Sequence, residues 1–172
     1  SNAVARLVEK VKAPSIGLVG PWGHAYPFNA LPGPAIGFLQ EALRFWDHWL
    51  KGRDTGIMKE PKLRVWMNKS HAPDPCAKER PGRWIAHRDW PAPRIVPRKF
   101  WLGARGLEDK PQPDAALSVL SPQATGNMTV EWCSYGGSDG DFPGDQRADD
   151  GCSLCFDTLP LAETLEFFGA PV

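Results

Sequence analysis

No stretch of this sequence comes near the roughly 18 consecutive apolar residues that cross a bilayer as a helix, and its first residues lack the charged-then-apolar pattern of a secretory signal. An excess of one charge is missing too. Twenty basic residues meet twenty acidic ones, so no electrostatic footprint favours nucleic acid or an anionic membrane surface as partner. Cysteine is scarce: Cys76, Cys133, Cys152 and Cys155 are too scattered for a disulfide framework, and reduced, core-type thiols are expected. What is there is a chain of 172 residues, long enough for one sizeable core, or for a core with an appendage. Its opening Ser-Asn-Ala reads as the remnant of a cleaved expression tag.

The first readable element lies in "APSIGLVGPWGH", where an apolar run over 16–19 is closed by Gly20 and Pro21. That pattern predicts a buried strand, best suited to parallel pairing, followed by a turn. In "GPAIGFLQEALRFWDHWLKG", Ile36, Leu39, Leu43, Trp46 and Leu50 recur at helical spacing. They predict a helix over 36–51, with Pro34 suited to its first turn and Gly52 to its end. After Gly56 proline appears every few residues and the apolar runs shrink to strand length. Strands are expected at 62–67, 83–86, 99–102, 117–120, 128–134, 153–157 and 164–168. Short strands with long Pro/Gly-rich connections indicate a mainly β fold, a jelly-roll β-sandwich, rather than alternating βαβ units. The expected division is therefore a tag remnant at 1–3, a strand–turn–helix piece at 4–56 and an all-β domain at 57–172. One strand and one helix cannot bury the apolar stripe of 36–50, and the sandwich stops just after a strand. The expectation is a fragment of a larger protein, with a body missing ahead of it and strands missing after it.

The stretch "GPWGHAYPF" carries the candidate chemistry. His24 follows a predicted parallel strand in a Gly-rich turn and precedes a helix, the place where open α/β sheets put their reactive groups. An imidazole there can accept and return a proton near neutral pH. Trp22, Tyr26 and Phe28 flank it and could line an acyl or leaving-group pocket. On pattern alone, a loop histidine capping a backbone carbonyl is the commoner outcome.

Several motifs in order, "GPWGH", "PGPAIGFLQEALRFWDHWLKG", "PKLRVWM", "RPGRWIA", "DQRADDGCSLCFD" and "LAETLEFFGAPV", resemble the carboxyl half of the cocaine-esterase-like (CocE/NonD) hydrolases, which are related to X-Pro dipeptidyl-peptidases. The resemblance covers nearly the whole chain. It implies an α/β-hydrolase body, a helical cap and a carboxyl-terminal jelly roll resembling galactose-binding domains. It matches His24 to the histidine of a Ser, Asp, His triad, residues 36–51 to the helix after it, and residues from about 57 onward to the jelly roll. Triad members follow the order Ser, Asp, His in that fold, so the resemblance puts both partners of His24 ahead of residue 1. The implied reaction is cleavage of an ester, amide or peptide bond in a small-molecule substrate, with no cofactor and no metal. The chain alone is expected to have no turnover. The alternative is a non-catalytic β-sandwich used for binding or assembly.

Other motifs take plainer readings. "GGSDG" matches the nucleophile-elbow pattern around Ser138, but "DFPGDQRADDG" after it is not expected to form the helix an elbow needs. The acidic cluster Asp139, Asp141, Asp145, Asp149 and Asp150 fails the EF-hand spacing. Cys152 and Cys155 have no second pair to complete a zinc site. His48 falls on the polar side of the predicted helix. Trp66, Trp84, Trp101 and Trp132 lie within strand patterns and are expected to be buried. The exposed helix stripe and an unpaired sheet edge are expected to drive self-association.

Overall fold

The computed structural model describes residues 3–104, 106–129 and 142–168. Its first element, helix α1 (Ala3–Lys10), has Val4, Leu7 and Val8, with Val11 just after it, at the i, i+3, i+4, i+7 spacing that gives a helix one apolar side. Val8 is buried. It packs beside strand β1 (Gly17–Val19), and Gly17 has no side chain for a reason: a Cβ there would stand 2.7 Å from Leu63 Cδ1 and 2.9 Å from Val8 Cγ2. Any larger residue would push α1 off the sheet.

Strand β1 is parallel to β2 (Leu63–Asn68), with Gly17 opposite Leu63 and Val19 opposite Val65. Strand β2 is antiparallel to β3 (Gly82–His87), where Trp66 faces Trp84. Leu63 and Val65, two residues apart, point to one face and are buried there, as strand alternation requires. Ile57, in a single 3-10 turn (Ile57–Lys59), closes the same core. The pairing of β1 with β2 joins the strand–turn–helix segment and the β-rich segment in one sheet. A separate hairpin follows, β4 (Trp101–Gly103) with β5 (Gly106–Glu108). Two small sheets with few helices keep the described residues mainly β, a build compatible with a β-sandwich.

Helix α2 (Phe38–Lys51) ends at Gly52, whose φ of 67° is the left-handed cap conformation that favours glycine. Its charged face, not its apolar one, meets the sheet. Glu41 pairs with Arg64 of β2 at 2.7 Å and with Arg44 at 3.1 Å, and Arg44 reaches Glu60 at 3.0 Å. Thr55 Oγ1 donates to the Arg44 carbonyl at 2.8 Å. The stripe of Leu39, Leu43, Trp46 and Leu50 is left exposed, Leu50 to 74%.

Several expectations meet a different outcome. Residues 117–120, 153–157 and 164–168 are irregular rather than strands, and Leu120 is 97% exposed. A β-type pattern becomes a strand only where neighbouring backbone accepts its N–H and C=O groups. Of these segments, 153–157 reaches a strand through the Asp157 carbonyl, which accepts from Leu107 N–H of β5 at 2.9 Å. The expected strand at 128–134 begins in a 3-10 turn (Asn127–Thr129) and otherwise lies outside the described residues. A one-turn helix α3 (Arg147–Asp150) forms where none was expected, started by the Asp145 carboxylate accepting from Arg147 N–H at 3.1 Å. The thiols are not core residues: Cys76 and Cys155 are exposed and Cys152 half-buried, while Cys133 lies outside the described residues. Trp84 is 38% exposed rather than buried, Trp66 and Trp101 are half-buried, and Trp132 is not among the described residues.

Candidate functional site

The loop from β1 to α2 is short of regular structure but firmly tied. Gly23 N–H donates to the Leu31 carbonyl at 2.8 Å, Asn29 N–H to Tyr26 at 3.0 Å and Ile36 N–H to Pro27 at 3.0 Å. At its far end Gly33 N–H donates to the Lys78 carbonyl at 2.7 Å, and Arg80 N–H donates back to Gly33 at 3.0 Å. The loop is thereby fixed to the segment entering β3.

Trp22 anchors the near end. Its Nε1 donates to the Pro34 carbonyl at 2.8 Å, and its ring lies 6.2 Å from that of Trp84, which in turn stands edge-on to Trp66 at 5.4 Å. Gly20 is required by this closeness, because a Cβ there would lie 2.5 Å from the Trp22 ring. Tyr26 and Phe28 are arranged differently. Their rings stack at 5.6 Å and 9°, and both are exposed, Tyr26 to 67%. His24 is exposed and lies in the sequence between the anchored tryptophan and the stacked pair. The sequence thus places all four residues on one braced loop. The tryptophan faces the sheet and the other two aromatics face outward, where an apolar ligand group can meet them.

The buried histidine of the described residues is His87, at 5% exposure. Its ring stacks on Phe168 at 5.9 Å and meets Trp90 at 5.6 Å, while Trp90 Nε1 donates to the Ala5 carbonyl of α1 at 3.0 Å. Burial pushes the His87 imidazole below its ordinary value, and the charge of Arg94 pushes the same way. Its Nε2 is buried with no hydrogen-bond partner among the described residues. This cluster joins β3, α1 and the segment around Phe168.

Among the described residues no group of three or more His, Cys, Asp or Glu side chains could hold a metal. Asp145 is held by Arg147 instead, whose hydrogen bonds bring its carboxyl down to about 2; Asp139, Asp141 and Ser138 lie outside the described residues. His48 on α2 is half-buried, its Nδ1 3.0 Å from the Arg53 carbonyl.

One feature was not foreseen. A cleft of about 370 Å³ is lined by Pro21, Asn68, Lys69, Ser70, His71 and Arg80. Its signal in the sequence is "NKSH", four polar residues in a row where the alternation of β2 ends.

Comparison with known proteins adds the following. The family model described as the X-Pro dipeptidyl-peptidase C-terminal non-catalytic domain matches residues 55–172. Two curated proteins, from Mycobacterium bovis and Mycobacterium tuberculosis and each named "Putative serine esterase", are 29% identical to this chain over 162 residues. Each match covers 88% of this chain and 24% of the relative, so the chain spans about a quarter of their length. The family match begins at residue 55, after the His24 loop. No solved structure matches the chain.

Proposed function

Because this chain belongs to the family of X-Pro dipeptidyl-peptidase C-terminal non-catalytic domains, we propose that it is the carboxyl-terminal part of a serine hydrolase that cleaves ester or amide bonds, X-Pro dipeptidyl bonds included. In this reading residues 57–172 belong to a jelly-roll, galactose-binding-like sandwich. Residues 4–56 supply the last strand and helix of an α/β-hydrolase body. His24 is the general base. It takes the proton from a serine hydroxyl as that oxygen attacks the carbonyl, then returns it to the leaving group. An aspartate orients the imidazole, and both partners come from another part of the polypeptide. Tyr26 and Phe28 wall the acyl or leaving group, with Trp22 behind them as anchor.

The observation that carries this reading is the placement of His24: exposed, on a loop fixed at both ends, directly after the parallel strand β1 and before α2. The relatives' name, serine esterase, supports the same chemistry. The test has two parts. The coding sequence upstream should contain a G-x-S-x-G after a strand pattern and then an aspartate, and the polypeptide that includes that region should hydrolyse an activated ester. An independent start at the boundary would favour a binding or assembly module instead.

The exposed stripe on α2 supports a second proposal, self-association of this chain when nothing else covers Leu39, Leu43, Trp46 and Leu50.

A further inference from the structure

The cleft beside the His24 loop has one sign of charge. Lys69 and Arg80 both line it, Asn68 and Ser70 add an amide and a hydroxyl, and no carboxylate is among the lining residues. Glu166, close enough to feel the charge of Lys69, is engaged by both terminal nitrogens of Arg83. Among the described residues, the two cations have no carboxylate beside them in the lining.

The donors also stand on braced backbone. Lys69 N–H donates to the Pro81 carbonyl at 2.8 Å, and Trp66 Nε1 donates to the Arg80 carbonyl at 3.2 Å. His71 Nδ1 lies 2.5 Å from the Ala72 carbonyl. A carbonyl only accepts, so Nδ1 carries the proton and Nε2 is left to accept from Arg80 Nη1, with which it is in contact. That contact fixes the guanidinium and uses one of its five N–H donors. The guanidinium also lies over the Phe142 ring, 5.9 Å from its centroid, and among the described residues its fork makes no further hydrogen bond.

We propose that this cleft is a binding site for a small organic carboxylate, held by the Arg80 fork and the Lys69 ammonium with Ser70 and Asn68 completing its hydrogen bonds. A planar carboxylate matches the guanidinium edge in a way a spherical anion does not. The volume lies within the ordinary range of small-molecule sites and exceeds what a single halide fills. The inference stands independently of the hydrolase reading, although Pro21 belongs to both the cleft and the His24 loop.

The test is calorimetric titration of the 172-residue chain at low ionic strength with succinate, succinamide and inorganic phosphate. Succinate should saturate, succinamide should not bind, and phosphate should bind more weakly than succinate. Lys69→Gln and Arg80→Gln should each weaken succinate about tenfold, the expected loss for one charge-assisted hydrogen bond. Lys59→Gln, on the 3-10 turn away from the cleft, should leave the affinity unchanged. Tryptophan fluorescence checks that each variant is folded. If Arg80→Gln fails to fold, Lys69→Gln decides. No saturation up to about 50 mM succinate, equal binding of succinamide, unchanged affinity in Lys69→Gln, or tighter binding of phosphate would each overturn the assignment.

Discussion

Replacing His87 by phenylalanine should stabilise this protein, against the usual cost of changing a buried polar residue. The ring is 5% exposed, stacked on Phe168 and met edge-on by Trp90, and its buried Nε2 has no partner among the described residues. A buried polar atom left unpaired costs about 1–3 kcal/mol. A phenyl ring of nearly the same outline removes that cost and keeps both aromatic contacts, each worth about 0.5–1.5 kcal/mol. Crowding from the one extra ring atom takes back part of the gain, so His87→Phe should come out about 1 kcal/mol more stable at pH 7.5. His87→Ala, which empties the site, should lose about 3 kcal/mol. The pH dependence sharpens the test. Because folding lowers the imidazole value, the unfolded chain binds the proton more readily. Stability is therefore full above the ordinary histidine value of 6.5 and is lost as pH falls from there through the lowered folded value. His87→Phe should lack that loss. Urea unfolding followed by tryptophan fluorescence at pH 7.5 and 5.5 measures both effects. A variant more than about 1 kcal/mol less stable than wild type at pH 7.5, or one with the wild-type pH dependence, would refute the reasoning.

Two further outcomes follow from α2. Burial pushes the Glu41 carboxyl up, but the hydrogen bond and charge of Arg64, with Arg44 behind them, outweigh it and hold the group below its ordinary value. Glu41→Gln should cost about 1 kcal/mol at pH 7. That difference should fade in urea titrations as pH falls from 4.5 through the lowered value, where the wild-type carboxylate is itself protonated. The exposed stripe should make the chain self-associate at micromolar concentration in sedimentation velocity. Leu43→Glu with Leu50→Glu should shift it to monomer, and a sharp monomeric peak for wild type would contradict the idea.

The sequence was most legible where periodicity and punctuation agreed. The apolar stripe ending at Gly52 became α2, although the helix starts at Phe38 after Gly37 rather than at Ile36 with Pro34 in its first turn, and the apolar run closed by Gly20 and Pro21 became β1. Which face α2 turns inward was not legible. Glu41 and Arg44 are ordinary surface residues by pattern, and their role depends on Arg64 and Glu60, which only the folded chain brings near. Helix α1 carries its signal in Val4, Leu7, Val8 and Val11, but eight residues are too short a helix for propensity alone to declare, and its packing on β1 is what holds it. Residues 117–120 and 164–168 looked like strands because their composition suits one, and composition names no partner. At the candidate site, His24 and its aromatic neighbours were readable as a cluster. The anchoring of Trp22 on Pro34 and Trp84, and the cleft formed with Lys69 and Arg80, arise from contacts distant in the chain.

The central claim, that His24 is the general base of a serine hydrolase whose other catalytic groups lie elsewhere in the polypeptide, is tested most directly by one rate comparison. The polypeptide including the upstream region is assayed on an activated ester, as wild type and as His24→Ala. The account predicts a fall of roughly a hundredfold or more, the usual worth of a positioned base, with the variant's folding unchanged by tryptophan fluorescence. Survival of more than about a tenth of the wild-type rate would contradict it.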